Sequence, residues 1–208
     1  MNGQKKTLPT EIRRILVLQI GPIGDTLFAI PALRALRRNF PAATIAVLAS
    51  PRAGDVLHGA PFIDLLRVCP SGLDLFRAVL EFRQMEFDLA VGLSNQGSWL
   101  APLCGTPLKA GFPSPLLALA EPGAIKEAPS AHVVEHCLAV VRMLGAAAGE
   151  ECRDLEIWLA AGERERSESY LAAHHLKEPI VALHAGGRYF QFKRSEEHTS
   201  ELQSRHNL

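Results

Sequence analysis

The sequence predicts an α/β protein built on an open, doubly wound, mostly parallel Rossmann-like sheet. The segment Arg14–Leu18 is apolar after its first residue and shows no alternation, as expected for a strand that is covered on both faces. Strand and helix signals alternate along the chain, and the first two predicted strands begin about thirty residues apart, the length of one right-handed βαβ unit. Repeated units of this kind form a sheet whose ligands bind beyond the carboxyl ends of the strands.

The individual elements follow from this alternation. Strands are expected at residues 14–20, 44–49, 64–69, 87–93, 108–112 and 179–184, and helices near residues 26–39, 52–59, 72–84, 97–104, 131–145 and 161–175. Pro31 lies beyond the first turn of the first helix, so we expect that helix to begin late or to bend there. Residues 113–129 contain four prolines and little periodicity, which is typical of a long loop with no more than a turn of helix.

A glycine turn joins the first strand to the first helix. Gly21 and Gly24 permit a tight turn and leave room for a ligand to approach the backbone, and Asp25 stands at the start of the helix. The free N–H groups and the positive end of the helix dipole at this point suit an anionic ligand. From its position alone, Asp25 either caps the helix or contributes a carboxylate to a ligand site.

Composition restricts the class of protein. The 208 residues are 48% hydrophobic, enough for a sizeable core, and the formal net charge of zero gives no broad basic surface for nucleic acid. Residues 1–10 lack the apolar segment of a signal peptide, and no apolar run is long enough to span a membrane, so a soluble cytoplasmic protein is expected. Four cysteines lie far apart and form no C-x-x-C pair, as in a reduced protein: Cys69, Cys104, Cys137 and Cys152.

The sequence can be compared with the motifs of three common kinds of site, for dinucleotides, for nucleoside triphosphates and for zinc. The glycine turn does not have the G-x-G-x-x-G spacing, no acidic residue ends the second strand, and no P-loop motif occurs, which argues against hydride transfer and against P-loop NTPases. Residues 132–136 have the H-x-x-E-H pattern of inverted zinc peptidases. The downstream acidic residues that could complete such a site are Glu196, Glu197 and Glu201, in a polar tail, so a structural histidine pair is favoured. A non-catalytic α/β binding module is the other alternative.

Five segments carry a family pattern. They are residues 19–41, with QIGPIGDTL, IPALRALR and FP; residues 87–96, FDLAVGLSNQ; residues 108–112, LKAGF; residues 132–135, HVVE; and residues 181–193, with VALHAGGR leading to Lys193. In this order they resemble glycosyltransferase family 9, the ADP-heptose:lipopolysaccharide heptosyltransferases. The resemblance covers roughly residues 14–193. It implies that the sheet is the N-terminal half of a two-domain GT-B fold.

The resemblance also implies an activity and its residues. It implies inverting transfer of heptose from ADP-heptose to a lipid A-core acceptor in the inner core of lipopolysaccharide, at the cytoplasmic face of the inner membrane, with Asp25 as general base. Substrate contacts are expected from Gly21, Gly24, Thr26, Asn95, Gln96 and Ser98, and donor-phosphate contacts from Gly186, Gly187, Arg188 and Lys193. Neither a metal nor a cofactor is expected beside the donor. Candidates for steering the acidic acceptor are Arg34, Arg37 and Arg38.

The family resemblance also predicts the domain organisation. Residues 1–12 are expected to be a disordered tail, residues 13–176 the Rossmann-like acceptor domain, and residues 177–193 the start of a donor-binding domain. Residues 194–204 resemble the translation of a sequencing adapter, so residues 194–208 are interpreted as a non-native, disordered tail. We therefore expect this chain to be a fragment that lacks most of the donor site and is inactive as it stands.

Overall fold

The strands in the part of the chain that the structure describes form one five-stranded parallel sheet. The structure, a computed structural model, describes residues 12–70, 72–120, 132–149, 153–160, 162–177 and 179–183. The strands are β1 Arg14–Gln19, β2 Thr44–Ala49, β3 Leu65–Val68, β4 Leu89–Gly92 and β5 Leu108–Gly111. They pair in the order β3-β2-β1-β4-β5, and every pairing is parallel. The predicted fold class is confirmed.

Helices connect the strands and continue after the last one. They are α1 Ile23–Asn39, α2 Pro51–Leu57, α3 Leu73–Arg83, α4 Asn95–Leu100 (extended by a 3₁₀ turn, Ala101–Cys104), α5 Pro115–Ala120, α6 Val133–Met143 and α7 Glu163–Ala173. The predicted helices are therefore present, with small shifts at their ends. Of the loop predicted after β5, residues 115–120 form the short helix α5, and residues 121–131 lie outside the described part of the chain.

Two hydrophobic cores cover the sheet, one on each face. Because side chains alternate along a strand, Ile15 and Val17 of β1 face one core while Leu16 and Leu18 face the other. The first core is closed by α1, α2 and α6, and the second by α3 and the 3₁₀ turn after α4. Burial on both faces explains why the strands are continuously apolar.

The start of α1 differs from the prediction. The helix begins at Ile23, ahead of Asp25, and runs without interruption through Pro31 to Asn39. Pro22 supplies the N-cap with extended backbone, so the helix can begin directly after it. Pro31 lacks one backbone donor, but it is buried with the apolar face of the helix, and that packing offsets the missing hydrogen bond.

Two compact units can be distinguished, residues 1–161 and residues 162–208, of which the first contains the sheet. In the second unit, α7 is described, whereas residues 179–183, expected to begin a sixth strand, are not assigned to one. The domain boundaries drawn from the sequence stay predictions. Of the proposed tails, residues 1–12 and 194–208, Ile12 is described and is half-buried against the first core, and the other residues lie outside the described part of the chain. No helix in the described part of the chain has both the length and the apolar character to cross a membrane.

Candidate active site

The order of the strands creates a switch point between β1 and β4. The chain moves from β1 towards β2 and β3 on one side and returns to β4 and β5 on the other, so connections from these two central strands leave in opposite directions. Ligands of open α/β sheets bind at such a point, outside the carboxyl ends of the strands. The glycine turn follows β1 there, and Ser94, Asn95 and Gln96 follow β4. Two segments singled out in the sequence are therefore brought to one edge.

Two serine hydroxyls hold the glycine turn in place. Ser94 Oγ accepts hydrogen bonds from the backbone N–H of Ile20, at 3.1 Å, and of Gly97, at 3.0 Å, so it caps α4 and fixes the end of β1. Ser50, which follows β2, donates its hydroxyl to the carbonyl of Gly21 at 2.7 Å. The turn is thus tied to both neighbouring strands.

Asp25 lies at the centre of this arrangement. It is the third residue of α1 and is exposed. A Cβ placed on Gly21 would lie 3.5 Å from Asp25 Cβ and 3.7 Å from Ser94 Cβ, so the three residues meet at the turn. The N-cap is Pro22, which has no side-chain cap, and the Asp25 carboxylate has no hydrogen-bond partner among the described residues. This arrangement favours a carboxylate directed to a ligand over a helix cap.

Gly24 gives the turn an open side. Among the described residues, a Cβ added at Gly24 would meet no atom within 4 Å apart from its chain neighbours and its own helix, so the backbone is uncovered there. At Gly21 the reverse holds, because a Cβ would lie 3.2 Å from Gln19 Nε2. The two glycines therefore have different reasons to be small: Gly21 allows close packing, and Gly24 leaves the start of the helix open next to Asp25 in the chain.

Thr26 and Gln19 form a buried pair beneath the turn. Both side chains are fully buried, Gln19 Nε2 donates to Thr26 Oγ1 at 3.4 Å, and Thr26 Oγ1 donates to the Pro22 carbonyl at 2.9 Å. The Thr26 hydroxyl is thus used within the fold, where it supports the turn, and its contact with substrate stays a prediction. Gln19 was not among the predicted site residues, although a polar residue at the end of an apolar strand was a signal for it.

The start of α4 separates into an outward and an inward face. Asn95 and Gln96 are exposed, as a role in binding sugar hydroxyls requires. Ser98 is fully buried; its hydroxyl donates to the Gly92 carbonyl at 3.2 Å and accepts from the N–H of Phe112 at 2.8 Å. This position favours a structural role for Ser98, in joining α4 to β4 and β5, over the predicted contact with substrate.

The arginines proposed for steering lie elsewhere. Arg34 and Arg37 are 9 and 12 residues beyond Asp25 on α1, roughly 13 and 18 Å along the helix. Arg34 forms a 2.8 Å ion pair with Glu156, and Arg37 pairs with Asp64 and donates to the Ala43 carbonyl at 2.7 Å. Both therefore stabilise the opposite end of the domain. Arg38 also lies at that end of the helix.

Arg52 is the cation that the structure places at the candidate site. It follows Ser50 at the carboxyl end of β2, is exposed, and has no ion pair or hydrogen bond among the described residues. Among the described residues of the connections leaving β1–β5 and of the helical turns that follow them, it is the one basic side chain. A single arginine in the first turn of a short helix has no sequence signature, which is why it was not predicted.

The H-x-x-E-H segment forms the start of α6. His132 is the N-cap, its Nδ1 accepting from the N–H of Val134 at 3.3 Å, and its ring contacts that of Phe28. The Glu135 carboxylate is bound by Arg142 and Arg153, whose hydrogen bonds hold the pKa of Glu135 below its usual 4.5. Within the described ranges no group of three His, Cys, Asp or Glu side chains could hold a metal ion. The zinc alternative therefore gains no support.

The predicted donor-phosphate residues cannot be placed. Gly186, Gly187, Arg188 and Lys193 lie outside the described residues, and so does His184 at the end of the expected strand. The part of the candidate site that the structure describes is the edge formed by the glycine turn, Arg52 and the start of α4.

Comparison with solved structures identifies the fold as that of one half of a GT-B glycosyltransferase. No protein-family model and no curated protein sequence matches the chain. The chain is similar to a glycosyltransferase family 9 structure from Veillonella parvula, with 20% identity and a TM-score of 0.66, over 84% of this chain and 52% of that one. It is similar to Escherichia coli ADP-heptose lipopolysaccharide heptosyltransferase II, with 18% identity and a TM-score of 0.65, over 92% and 60% of the two chains.

A third similar structure contains a ligand. This is the Escherichia coli heptosyltransferase WaaC with ADP-2-deoxy-2-fluoro heptose, matched with 15% identity and a TM-score of 0.53 over 66% of this chain and 50% of that one. The chain therefore spans about half to three fifths of the length of the structures it matches. These likenesses confirm the predicted Rossmann-like fold.

Proposed function

We propose that this chain is the acceptor-binding half of an inverting glycosyltransferase of family 9 that transfers heptose from ADP-heptose to a lipid A-core acceptor. The observation that carries the proposal is Asp25: an exposed carboxylate at the switch point that has no hydrogen-bond partner among the described residues and that follows a glycine, Gly24, whose Cβ position is open. The family pattern in the sequence and the similarity to heptosyltransferase structures support the same conclusion.

The chemistry requires a base on the acceptor side. The acceptor hydroxyl attacks the anomeric carbon of the donor heptose, the bond to ADP breaks, and Asp25 takes the hydroxyl proton. A carboxylate is a weak base, so the proton leaves late, when the anomeric carbon already carries positive charge. The departing diphosphate needs hydrogen-bond donors and positive charge, a role that we assign to the backbone N–H groups of Gly186 and Gly187 and to the side chains of Arg188 and Lys193.

The acceptor is proposed to bind along the same edge. Its acidic sugars and phosphates would pair with Arg52, whose guanidinium is exposed and unpaired among the described residues. Asn95 and Gln96, exposed at the start of α4, would bind sugar hydroxyls. Since the lipid A-core acceptor is anchored in the inner membrane, we propose that the protein contacts the cytoplasmic surface of that membrane when it acts. Neither a metal nor a cofactor is part of the proposal.

The test is heptose transfer in an enzyme completed with a donor-binding half, because this chain spans about half of the matched structures. We expect Asp25→Asn to lower kcat by about 10²- to 10⁴-fold with little change in acceptor KM. Arg52→Ala should raise acceptor KM about 10-fold and weaken its salt dependence, whereas Arg77→Ala, a control on the surface of α3, should change neither. Activity of Asp25→Asn within a few-fold of wild type would remove the assignment of Asp25 as base. Absence of transfer by the completed wild-type enzyme would leave a non-catalytic binding module, and transfer by the 208-residue chain alone would contradict its expected inactivity.

A further inference from the structure

Gln19 occupies an unusual position for a polar side chain. It is the last residue of β1, it follows four buried apolar residues, and it is completely inaccessible to solvent. A buried amide is costly unless both its oxygen and its nitrogen are hydrogen-bonded. An apolar residue of similar size would fill the same space without that cost, so packing alone does not explain a glutamine here.

The hydrogen bonds of Gln19 run to the glycine turn. Its Nε2 donates to Thr26 Oγ1 at 3.4 Å, and Thr26 Oγ1 donates to the Pro22 carbonyl at 2.9 Å. The Thr26 hydroxyl has one hydrogen, which it gives to Pro22, so it can only accept from Gln19. This fixes the orientation of the amide. Two successive bonds thus join the end of β1 to residues on either side of Asp25.

The amide also packs against the turn from below. A Cβ on Gly21 would lie 3.2 Å from Gln19 Nε2 and 3.5 Å from Asp25 Cβ, so Gln19 and Asp25 approach the same point of the backbone. Any side chain at Gly21 would press on the amide. The positions of Gly21, the Gln19 amide and Asp25 therefore depend on one another.

One atom of Gln19 is left without a partner. Its Oε1 is buried and accepts no hydrogen bond among the described residues. A buried acceptor without a donor lowers stability, and such costs are characteristic of residues retained for function. Gln19 thus carries a cost to stability that its bond to Thr26 does not remove.

We propose that Gln19 is a positioning residue for Asp25. Through Thr26 it holds the segment from Pro22 to Thr26 in one conformation, so that the carboxylate of Asp25 meets the acceptor hydroxyl in a productive direction. The inference rests on the proposed function of Asp25 as base. It goes beyond that function by assigning the support of the base to a buried amide that never touches substrate.

The test compares Gln19→Met with wild type, because methionine has a similar volume but neither donor nor unfilled acceptor. In the 208-residue chain, we expect a melting temperature unchanged within about 2 °C or higher. We also expect greater fast backbone motion at Gly24 and Asp25 in the ¹⁵N heteronuclear NOE, with no change at Gly97. In the completed enzyme, kcat should fall about 10- to 100-fold while acceptor KM is unchanged. Thr26→Val should have the same effect, and the double variant should be no worse than either single one.

Each other outcome counts against the proposal. A kcat within twofold of wild type, or an unchanged NOE at Gly24 and Asp25, would overturn it. A fall in melting temperature together with an equal loss of kcat and of acceptor binding would show a purely structural role and would also overturn it. If Asp25→Asn retains activity, the proposed role of Asp25 as base fails, and the NOE alone then decides whether Gln19 orders the turn. If Asp25→Asn is inactive but Gln19→Met is fully active, only this inference fails.

Discussion

Replacing Gly97 with alanine adds one methyl group and should strongly lower the free energy of unfolding of the unit that contains the sheet. Gly97 is the third residue of α4, and a Cβ at this position would lie 2.0 Å from the carbonyl oxygen of Leu18 and 2.9 Å from its carbon. A carbon and a carbonyl oxygen normally stay about 3.3 Å apart at closest approach. Either β1 or α4 must therefore move by roughly 1.3 Å. Both atoms belong to main chain or are bonded directly to it, so no rotamer change relieves the contact.

The cost can be bounded from this geometry. Extra methyl groups in a packed core typically cost about 1–3 kcal/mol, and a clash between two backbones belongs at the upper end. Alanine in a helix regains about 1 kcal/mol relative to glycine. The expected net loss in the free energy of unfolding is therefore about 2 kcal/mol. For a chain of this size that corresponds to a melting temperature lower by about 4–8 °C.

Gly24→Ala is the matched control. Gly24 also lies in a helix, but a Cβ there would meet nothing within 4 Å, so we expect stability to be unchanged or raised by up to about 1 kcal/mol. Urea unfolding followed by tryptophan fluorescence measures both variants. The chain's two tryptophans, Trp99 and Trp158, belong to the unit that contains the sheet, so the signal reports its unfolding. A Gly97→Ala midpoint equal to or above that of Gly24→Ala would refute the reasoning.

Two further predictions concern ionisable groups. Burial raises the pKa of the Cys104 thiol to about 12 from its usual 9.0, so at pH 8 its thiolate fraction falls about 10³-fold. Iodoacetamide should therefore modify Cys104 at least about 10³-fold more slowly in the folded chain than in urea, as measured by mass spectrometry, and equal rates would contradict this. Hydrogen bonds from Arg153 and Arg142 lower the pKa of Glu135 below 4.5, so its contribution to stability is present above 4.5 and is lost as the pH falls through the folded-state pKa. At neutral pH, Glu135→Gln should thus lower the free energy of unfolding, measured from the urea midpoint, by less than about 1 kcal/mol. At a pH well below 4.5 the variant and the wild type should have the same midpoint. A difference in midpoint that persists in acid would exclude the ion pairs as its cause.

The fold could be predicted because its strands are buried on both faces. β2 was predicted at residues 44–49 and is found at Thr44–Ala49, because an unbroken apolar run between turn residues leaves few alternatives. The start of α1 was harder to predict, since Pro31 appeared unfavourable to a helix and the glycine turn appeared to extend to Asp25. The apolar packing of the helix and the N-cap at Pro22 outweigh these local preferences, and that balance depends on contacts not visible in the sequence.

The site was predictable in position but not in detail. Parallel strands bring Asp25 and Asn95 to one edge, and this follows from the order of elements alone. The order of elements does not show which cations lie near that edge. Arg34 and Arg37 drew attention as a cluster but serve ion pairs at the far end of α1, while the isolated Arg52 lies at the edge. Side-chain placement of this kind is set by helix length and by the pairing of neighbouring strands.

The side-chain positions at the start of α4 could likewise not be predicted, because this short segment both packs against the sheet and presents two amides on its outer face. The residues that face inward are Ser94, Gly97 and Ser98, which have the spacing of one side of a helix. The two serine hydroxyls and the close approach at Gly97 join α4 to the ends of β1, β4 and β5. Asn95 and Gln96 lie between them and therefore must face outward. Because Gly97 lets the helix approach Leu18 so closely, these two amides are held near the turn that contains Asp25. A substitution at Gly97 should thus displace the acceptor contacts that we propose for Asn95 and Gln96 as well as lower stability, which links the packing of the sheet to the proposed activity.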